Sequence, residues 1–214
     1  NAAGGTHTYQ KILKFQNLKE LGELVSPHSY RILKKDCLDL PEKVYTKRYV
    51  ELTDEQKKAY AEMKENALAT LNGSSATAFN VLTQLIRLHQ ITCGHMATDS
   101  HDIIDIKSNR LDELMQILGE NSGKVIIWAN YIYDINQIKK AVEKEFGANS
   151  YCTYYGATLG KDRQKCINDF QDPDSPVRFF IGNTQTGGFG ITLTQASTVI
   201  YYSNNYDLEK RIQS

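Results

Sequence analysis

The sequence lacks a long apolar run, a close pair of cysteines and an excess of charge of either sign. No apolar stretch approaches the roughly 18 residues of a membrane span, and no charged-then-apolar leader opens the chain. We therefore expect no membrane segment and no membrane partner. The 25 basic and 25 acidic residues balance, which argues against a global basic field for nucleic acid. Any anion site must be local.

Cysteine is scarce as well, with four residues and no C-x-x-C pair. This usage predicts reduced thiols in a cytoplasmic protein rather than a disulfide framework. His89, Cys93, His95 and His101 lie close together, and His89 and Cys93 share one predicted helical face, as zinc ligands can. No second Cys-His pair completes a familiar spacing, so we predict no metal site and a buried Cys93 at a helix end.

A phosphate loop of the form G-x-x-x-x-G-K-[ST] is also absent. Gly123-Lys124 comes nearest to it, but Val125 follows where the hydroxyl that holds magnesium is required. Asp54-Glu55 resembles the start of a magnesium-binding acidic box, yet it lies inside a helix cap and is predicted to be structural. The order of residues indicates no Ser-His-Asp triad or Cys-His pair, so we predict no catalytic residue in this chain.

The patterns that are present divide the chain into three parts. Residues 1–14 are predicted to be a disordered or tag-derived end, and residues 15–107 to form a mainly helical segment. Residues 108–214 are predicted to form an α/β layer. A chain of 214 residues can bury one core together with such an appended helical part.

Two helices are predicted in the middle part. A capping box at Thr53–Gln56 starts the first helix, and the second ends at Gly94. Residues 43–52 alternate weakly and predict a strand, whereas the polar residues 95–107 predict a loop.

After Ser122 short apolar runs alternate with stretches of helical spacing, a rhythm that predicts parallel strands joined by crossover helices. The predicted strands are 124–129, 150–154, 177–182 and 198–202, and the predicted helices are 132–146 and 159–170. In such sheets ligands gather beyond the carboxyl ends of the strands.

The segment GNTQTGGFGITL, residues 182–193, directly follows the third predicted strand. Backbone N–H groups of a glycine-rich turn can converge on an anion, and the hydroxyls of Thr184 and Thr186 would add donors. A tight turn that needs positive φ explains the glycines equally well. From spacing alone both interpretations stay open.

The same segment resembles the fifth helicase motif of the sucrose-non-fermenting-type ATPases, the double-stranded-DNA translocases of helicase superfamily two. That family's pattern is Ser-Thr-Arg-Ala-Gly-Gly-Leu-Gly-Ile-Asn-Leu. Residues 124–130 resemble the fourth motif, residues 154–170 the glycine turn and arginine-bearing helix that follow it, and residues 199–213 the approach to the sixth motif. Residues 28–34, 40–41, 52–60 and 85–93 resemble the passage from the first motor lobe into the second. The resemblance covers nearly the whole chain from about Phe15.

This resemblance implies a RecA-like parallel sheet with flanking helices, preceded by a mainly helical segment that connects two lobes. It implies double-stranded DNA and ATP with Mg as ligands, and a first RecA-like lobe as partner that holds most of the ATP and Mg. The resemblance also places Gln213 at the start of the sixth motif, so we expect a chain cut before the arginines of that motif and inactive alone.

The resemblance further nominates site residues. Gly187, Gly188 and Gly190 are predicted to contact ATP. The residues predicted to contact nucleic acid are Asn183, Thr184, Gln185, Thr186, Arg163 and Trp128. Trp128 could instead be a packing residue and Arg163 a brace within the lobe.

The sequence departs from the family at two of its motif positions. The usual arginine of the fifth motif is Gln185, and the usual aspartate before the Trp-Asn-Pro segment is Ser203. These changes indicate a divergent branch, for which we expect a bacterial or phage source. Two other functions stay open: a non-catalytic α/β module that binds nucleic acid or protein, and a small-molecule enzyme on a doubly wound sheet. The small-molecule enzyme would need a G-x-G-x-x-G fingerprint after its first strand, which the sequence lacks.

Overall fold

The computed structural model describes residues 14–30, 32, 43–72, 78–98, 100, 102–187 and 190–214. The chain divides into two compact units, Asn1–Lys47 and Arg48–Ser214, and each is described by itself. In the first unit, helix α1 (Leu18–Val25) is followed by a 3-10 turn at Ser26–His28. In the described residues, no helix is both long enough and apolar enough to cross a membrane.

The second unit begins with two helices, α2 (Asp54–Asn72) and α3 (Ala78–Cys93). The predicted capping box is confirmed, because the Thr53 N–H donates to the Gln56 side chain at 3.1 Å and the Gln56 N–H donates to Thr53 Oγ1 at 3.2 Å. The buried Gln56 also donates through Nε2 to the Ile91 carbonyl at 2.8 Å, which fastens the start of α2 to the end of α3. Gly94 ends α3 with a φ of 93°, as predicted.

Two expectations for this part of the chain are wrong. Residues 95–107 contain a hairpin, in which β1 (His95–Ala97) pairs antiparallel with β2 (Ile103–Asp105). The predicted strand over 43–52 is absent, and that segment has no regular structure. Its side chains Val44, Tyr45 and Tyr49 are exposed, and Val50 and Leu52 are only partly buried, so the segment has little of the packing that supports a strand.

The remainder alternates helices and strands as expected. The elements in chain order are α4 (Arg110–Glu120), β3 (Lys124–Trp128), α5 (Ile132–Phe146), β4 (Tyr151–Tyr154), α6 (Gly160–Gln171), β5 (Phe179–Gly182), α7 (Thr184–Gly187), β6 (Ala196–Tyr201) and α8 (Leu208–Gln213). The four strands β3 to β6 form one parallel sheet in the order β4-β5-β3-β6. The predicted α/β class is therefore confirmed.

Two hydrophobic cores cover the two faces of this sheet. Successive residues of β3 alternate between them, since Val125 and Ile127 pack with α4 and α5, whereas Ile126 and Trp128 pack with α6. Helices on both faces are what a parallel sheet requires. The compact unit also includes the helices from Asp54 onward, and the predicted domain boundary near residue 107 stays a prediction.

The structure corrects the expectation of four reduced thiols. Cys152 on β4 and Cys166 on α6 form a disulfide, with Cα atoms 5.4 Å apart. The sequence separation of 14 residues gives no hint of this pair, because the proximity arises only when α6 packs against the sheet. Cys93 is a buried free thiol, as predicted, and Cys37 lies outside the described residues.

Candidate phosphate-binding edge of the sheet

The carboxyl ends of the four parallel strands bring four loops to one edge. Asn130 follows β3, Tyr155 follows β4, Asn183 follows β5 and Ser203 follows β6. Backbone hydrogen bonds join these loops to one another: the Asn183 N–H donates to the Tyr154 carbonyl at 3.2 Å, and the Tyr202 N–H donates to the Trp128 carbonyl at 2.9 Å. The edge is thus a continuous surface on which ligands of α/β proteins commonly bind.

The glycine-rich segment begins as a helical turn, α7, and not as an open loop. Asn183 closes this turn, because its Oδ1 accepts from the Gln185 N–H at 2.7 Å. Its backbone carbonyl accepts from the N–H groups of Thr186 at 3.1 Å and Gly187 at 2.9 Å. Three successive amides predicted to converge on an anion are therefore bonded within the turn. Any anion contact from these residues must come from side chains or from a rearranged turn.

The predicted contact residues of this segment differ in accessibility. Thr184 is 8% exposed, and its Oγ1 accepts from Asn205 Nδ2 at 3.2 Å. Gln185 is exposed and Thr186 is half-buried, so these two side chains face solvent at the edge. Gly190 is exposed and has a φ of 73°, a conformation that favours glycine. Gly188 lies outside the described residues.

Gly187 is a glycine because of Trp128. A Cβ built on Gly187 would lie 2.8 Å from Cη2 and 2.9 Å from Cζ3 of the indole, and a Cβ on Gly182 would lie 2.8 Å from the same Cζ3. Since such contacts are far inside van der Waals distance, both residues must lack a side chain for the indole to pack. The indole therefore explains Gly187 without any ligand.

This packing favours the alternative in which Trp128 is a packing residue over a contact with nucleic acid. The Trp128 side chain is 2% exposed and meets Phe180 edge to face, with ring centroids 5.8 Å apart. A side chain so enclosed has no surface to offer a base or a phosphate. Trp128 is a core residue that supports the turn from below.

Arg163 braces the loop after β4. Its Nε donates to the Thr158 carbonyl at 3.0 Å, and its Nη2 lies 3.3 Å from the carbonyls of both Tyr155 and Gly156. The guanidinium also lies 5.6 Å from the centre of the Tyr154 ring. These contacts engage the charged group within the lobe and favour the bracing alternative over a phosphate contact.

Sequence reasoning missed a set of polar residues that join the loops from beneath. Asn183 Nδ2 donates to the Asn130 carbonyl at 2.8 Å, and the Asn130 N–H donates to Ser203 Oγ at 2.8 Å. The Ser203 hydroxyl in turn donates to Asp134 Oδ2 at 2.8 Å. Asn130 could have been noticed as a polar residue directly after a predicted strand, but Asp134 resembles an ordinary acidic residue in the first turn of a helix.

Asp134 faces His95 in the interior. The two side chains are 1% and 2% exposed, and Oδ1 lies 3.4 Å from Nδ1. Within the described residues neither of these two atoms has a well-aligned hydrogen bond. Burial raises the pKa of Asp134 to about 7, and it lowers the pKa of His95 to about 4. Both shifts favour the neutral forms, a carboxylic acid beside a neutral imidazole.

Other ionisable groups surround this pair. Arg110 donates through Nη1 to the Tyr202 carbonyl at 2.9 Å and lies 3.4 Å from Cys93 Sγ. Burial, followed by the nearby Arg110 charge, lowers the pKa of His89, which hydrogen bonds to the Tyr131 hydroxyl at 2.9 Å. Among the residues that the structure describes, no three His, Cys, Asp or Glu side chains are placed to hold a metal ion. His101 lies outside them.

Comparison with known proteins identifies the lobe. Residues 107–214 match the family described as the helicase conserved C-terminal domain. The chain is 27% identical over 219 residues to the ISWI chromatin-remodeling complex ATPase ISW1 of Saccharomyces cerevisiae, covering 92% of this chain and 19% of that protein. It is 29% identical over 201 residues to the putative ATP-dependent helicase/translocase YwqA of Bacillus subtilis, covering 87% and 21%.

Solved structures agree with this match. The Sulfolobus solfataricus SWI2/SNF2 ATPase C-terminal domain superposes with a TM-score of 0.60 and 28% identity, over 73% of this chain and 70% of that one. The core domain of the same ATPase gives a TM-score of 0.64 at 28% identity, over 92% of this chain and 43% of that one. The predicted RecA-like fold is confirmed. This chain spans about a fifth of the length of the curated relatives, as its 19% and 21% shares of the two named above show.

The contact between Gly187 and the indole yields a stability prediction. We expect Gly187→Ala to lower the free energy of unfolding by about 1–3 kcal/mol, because the new methyl overpacks the core. Urea denaturation measures the change. Gly160→Ala is the matched control, since a Cβ there meets nothing within 4 Å. In a Trp128→Phe background, which lacks Cη2 and Cζ3 of the indole, the cost of Gly187→Ala should shrink. An equal cost in both backgrounds would contradict the steric explanation.

The His95–Asp134 pair yields a pH prediction. A raised Asp134 pKa adds stability at low pH that is lost as pH rises toward 7, whereas a lowered His95 pKa adds stability above pH 6.5 that is lost as pH falls toward 4. Between pH 4 and pH 6.5, Asp134 and His95 together hold one titrating proton in the folded chain and one in the unfolded chain. Their joint contribution to stability is therefore nearly independent of pH over this range.

Asp134→Asn removes one half of this compensation. The variant's free energy of unfolding relative to the unchanged protein should fall by up to roughly 3 kcal/mol as pH drops from 6.5 to 4. Over this range His95 takes up a proton in the unfolded chain but stays neutral when buried, and no proton held by folded Asp134 compensates for this. Denaturation series at several pH values measure this slope. Asp162→Asn, at an exposed position, is the control, and His95→Gln added to Asp134→Asn should abolish the slope. A parallel pH profile for Asp134→Asn and the unchanged protein would refute the compensation.

Proposed function

The chain belongs to the helicase conserved C-terminal domain family and is the second lobe of a SWI2/SNF2-type superfamily-two ATPase. We propose that this lobe is part of an ATP-dependent translocase that acts on double-stranded DNA. Its share of the work is to contact DNA backbone phosphates, and the phosphates of ATP, through residues 183–190. The observation that carries this proposal is the position of this segment at the carboxyl edge of the sheet, supported from below by Trp128 and Asn183.

Two of the relatives support the motor part of the proposal. One is a chromatin-remodeling ATPase and another a putative ATP-dependent helicase/translocase. Family membership argues against the small-molecule enzyme considered above. The non-catalytic binding module would use the same edge of the sheet, and it differs from the motor in requiring no nucleotide in the full-length protein.

The side chains available for contact at this edge are polar and uncharged. Gln185 is exposed, and in the described part of the chain its side-chain amide has no hydrogen-bond partner. Thr186 is half-buried beside it, and the other threonine of the turn, Thr184, is held by Asn205. Amides and hydroxyls position a nucleic acid by bonding to phosphate oxygens but release no counterions. The lobe should therefore bind DNA weakly and add orientation more than affinity.

ATP and Mg fit this chain only as ligands shared with another lobe. The sequence has no phosphate loop, and the described residues contain no cluster of acidic side chains that could hold the metal. The proposed contribution of this chain is to approach the phosphates with Gly187 to Gly190 when the first lobe, which holds ATP and Mg, closes on it. Closure would also require the turn at Thr184–Gly187 to free the amides that Asn183 now occupies.

Restoring the charge at position 185 tests the DNA contact. We expect a dissociation constant for duplex DNA on the order of 10⁻⁴ M or weaker for the unchanged chain at physiological salt. Gln185→Arg should bind more tightly, and the slope of log affinity against log salt should steepen by about 0.9 for one added phosphate contact. Fluorescence anisotropy with labelled duplex measures both quantities.

Gln164→Arg provides the matched control, because Gln164 is exposed on α6 and gains the same charge. A nonspecific effect of charge would make the two variants equal. Equal affinities and equal salt slopes for the two variants would contradict a phosphate contact at Gln185, as would salt-resistant sub-micromolar binding by the unchanged chain.

A second experiment addresses the division of ATP chemistry between lobes. This chain incubated with ATP, Mg and duplex DNA should release phosphate at the background rate, since it lacks the lysine and hydroxyl of the phosphate loop. A coupled phosphate-release assay measures turnover. Turnover above a heat-denatured control would overturn the proposed dependence on a first lobe.

A further inference from the structure

A continuous hydrogen-bond chain connects the buried Asp134 with the turn after β5. We propose that Asp134 is a positioning residue, which holds residues 183–187 in place through Ser203, Asn130 and Asn183 and links them to His95 on the β1–β2 hairpin. This goes beyond the proposed function, which assigns contacts to residues 183–190 but does not explain what sets their position.

Each link of the chain is short and directional. Asp134 Oδ2 accepts from the Ser203 hydroxyl at 2.8 Å, and Ser203 Oγ accepts from the Asn130 N–H at 2.8 Å. The Asn130 carbonyl then accepts from Asn183 Nδ2 at 2.8 Å, and Asn183 Oδ1 accepts from the Gln185 N–H at 2.7 Å. Successive bonds therefore run from the interior to an exposed residue of the candidate site.

The Ser203 hydroxyl donates one hydrogen bond and accepts another through a single oxygen atom. Because the hydroxyl proton of Ser203 points to Asp134, the lone pairs of its oxygen face the Asn130 N–H. This bond fixes the orientation of the loop after β3. Asn130 and Asn183 sit at the ends of neighbouring strands, so a fixed Asn130 carbonyl fixes the Asn183 side chain. Enclosed hydrogen bonds hold the groups they join, and each of the four bonds from Asp134 Oδ2 to the Gln185 N–H is made, whereas Asp134 Oδ1 has no hydrogen bond within the described residues.

The other carboxyl oxygen of Asp134 faces a different part of the chain. Oδ1 lies 3.4 Å from Nδ1 of His95, the first residue of β1, and the His95 ring contacts Tyr131 and Tyr133 with centroids 5.0 and 4.5 Å away. The Arg110 guanidinium, whose charge acts on Asp134, donates its hydrogen bond to the Tyr202 carbonyl. One buried side chain thus touches both the hairpin that follows α3 and the network beneath the site.

A purely structural role predicts a different result from a positioning role. If Asp134 and Ser203 only stabilise the fold, removing one of them lowers global stability and leaves local opening at residues 185–187 unchanged. If they position the turn, its amides exchange faster under native conditions while amides elsewhere stay protected. Amide hydrogen exchange by NMR resolves the two.

Ser203→Ala is the first test. We expect the Gln185 amide to exchange about tenfold faster than in the unchanged chain, which corresponds to a loss of about 1.4 kcal/mol of local protection. Ser150→Ala is the matched control, because Ser150 is 6% exposed against 4% for Ser203, and its hydroxyl donates locally to the Gly147 carbonyl at 2.7 Å. Equal exchange at Gln185 in the two variants, after correction for global stability, would overturn the proposal.

Asn183→Ala tests the same hydrogen-bond chain from its other end. Asn183 is half-buried, so this variant provides a second test if Ser203→Ala does not fold. Coupling is reciprocal, so removing the Asn183 side chain should accelerate exchange of the Asn130 amide, whose partner in the described part of the chain is Ser203 Oγ. An unchanged Asn130 amide would refute transmission along the chain. In the double variant, Ser203→Ala should have no further effect on Gln185.

These measurements need neither DNA nor nucleotide. The positioning role therefore fails if the exchange rates do not respond, whatever the binding experiments give. Conversely, absent DNA binding by Gln185→Arg would defeat the proposed function and leave the coupling intact.

Discussion

The packing of one indole against two glycines is the constraint on which the edge of this lobe depends. Trp128 ends the strand β3, Gly182 ends the neighbouring strand β5, and Gly187 ends the turn that follows. A methyl group on either glycine would lie 2.8 Å from the indole. The turn therefore returns over the sheet directly above Trp128, and residues 183–186 are carried to the carboxyl edge. A smaller side chain at position 128 would leave a cavity beneath the turn.

Two different kinds of interaction hold this edge, and they act in different directions. Apolar packing by Trp128 fixes how closely the turn approaches the sheet, but dispersion contacts are weakly directional. The bonds of Asn183 and Asn130 fix the orientation of the turn, since each requires a donor aimed at an acceptor. The polar residues carry a desolvation cost that the apolar ones do not. Burial raises the pKa of Asp134 to about 7 and lowers the pKa of His95 to about 4, so between these two pH values both groups are neutral and the pair limits that cost.

The sequence was sufficient for the repeating elements and for the family. The helix Ile132–Phe146 has the predicted bounds, and the strands fall within about two residues of theirs, because hydrophobic periodicity reflects burial in a sheet with two covered faces. Periodicity failed for residues 95–105, where a hairpin of three-residue strands is too short to show alternation. It failed at 43–52 for a different reason. Apolar and polar residues alternate weakly there, but Val44, Tyr45 and Tyr49 are exposed, so packing does not stabilise a strand.

The motif located the candidate site, but it did not indicate which contacts the residues of that site already make. Glycines in a loop after a strand suggest room for a phosphate, yet Gly187 is explained by an indole located 59 residues earlier in the chain, at Trp128. Amides in such a loop suggest an anion cradle, yet Asn183 occupies three of them. Both facts depend on which side chain meets which backbone across strands, and neither spacing nor composition encodes that. A glycine-rich motif therefore identifies where a lobe can act, whereas its ligand contacts follow only from the atoms already bonded there. In the described residues those atoms leave the exposed Gln185 side chain without a hydrogen bond, at the position where the family pattern that the sequence resembles has an arginine. The absence of charge at Gln185 and the tight internal bonding of the turn both fit the proposed role of this edge, which is to orient a ligand held mainly elsewhere.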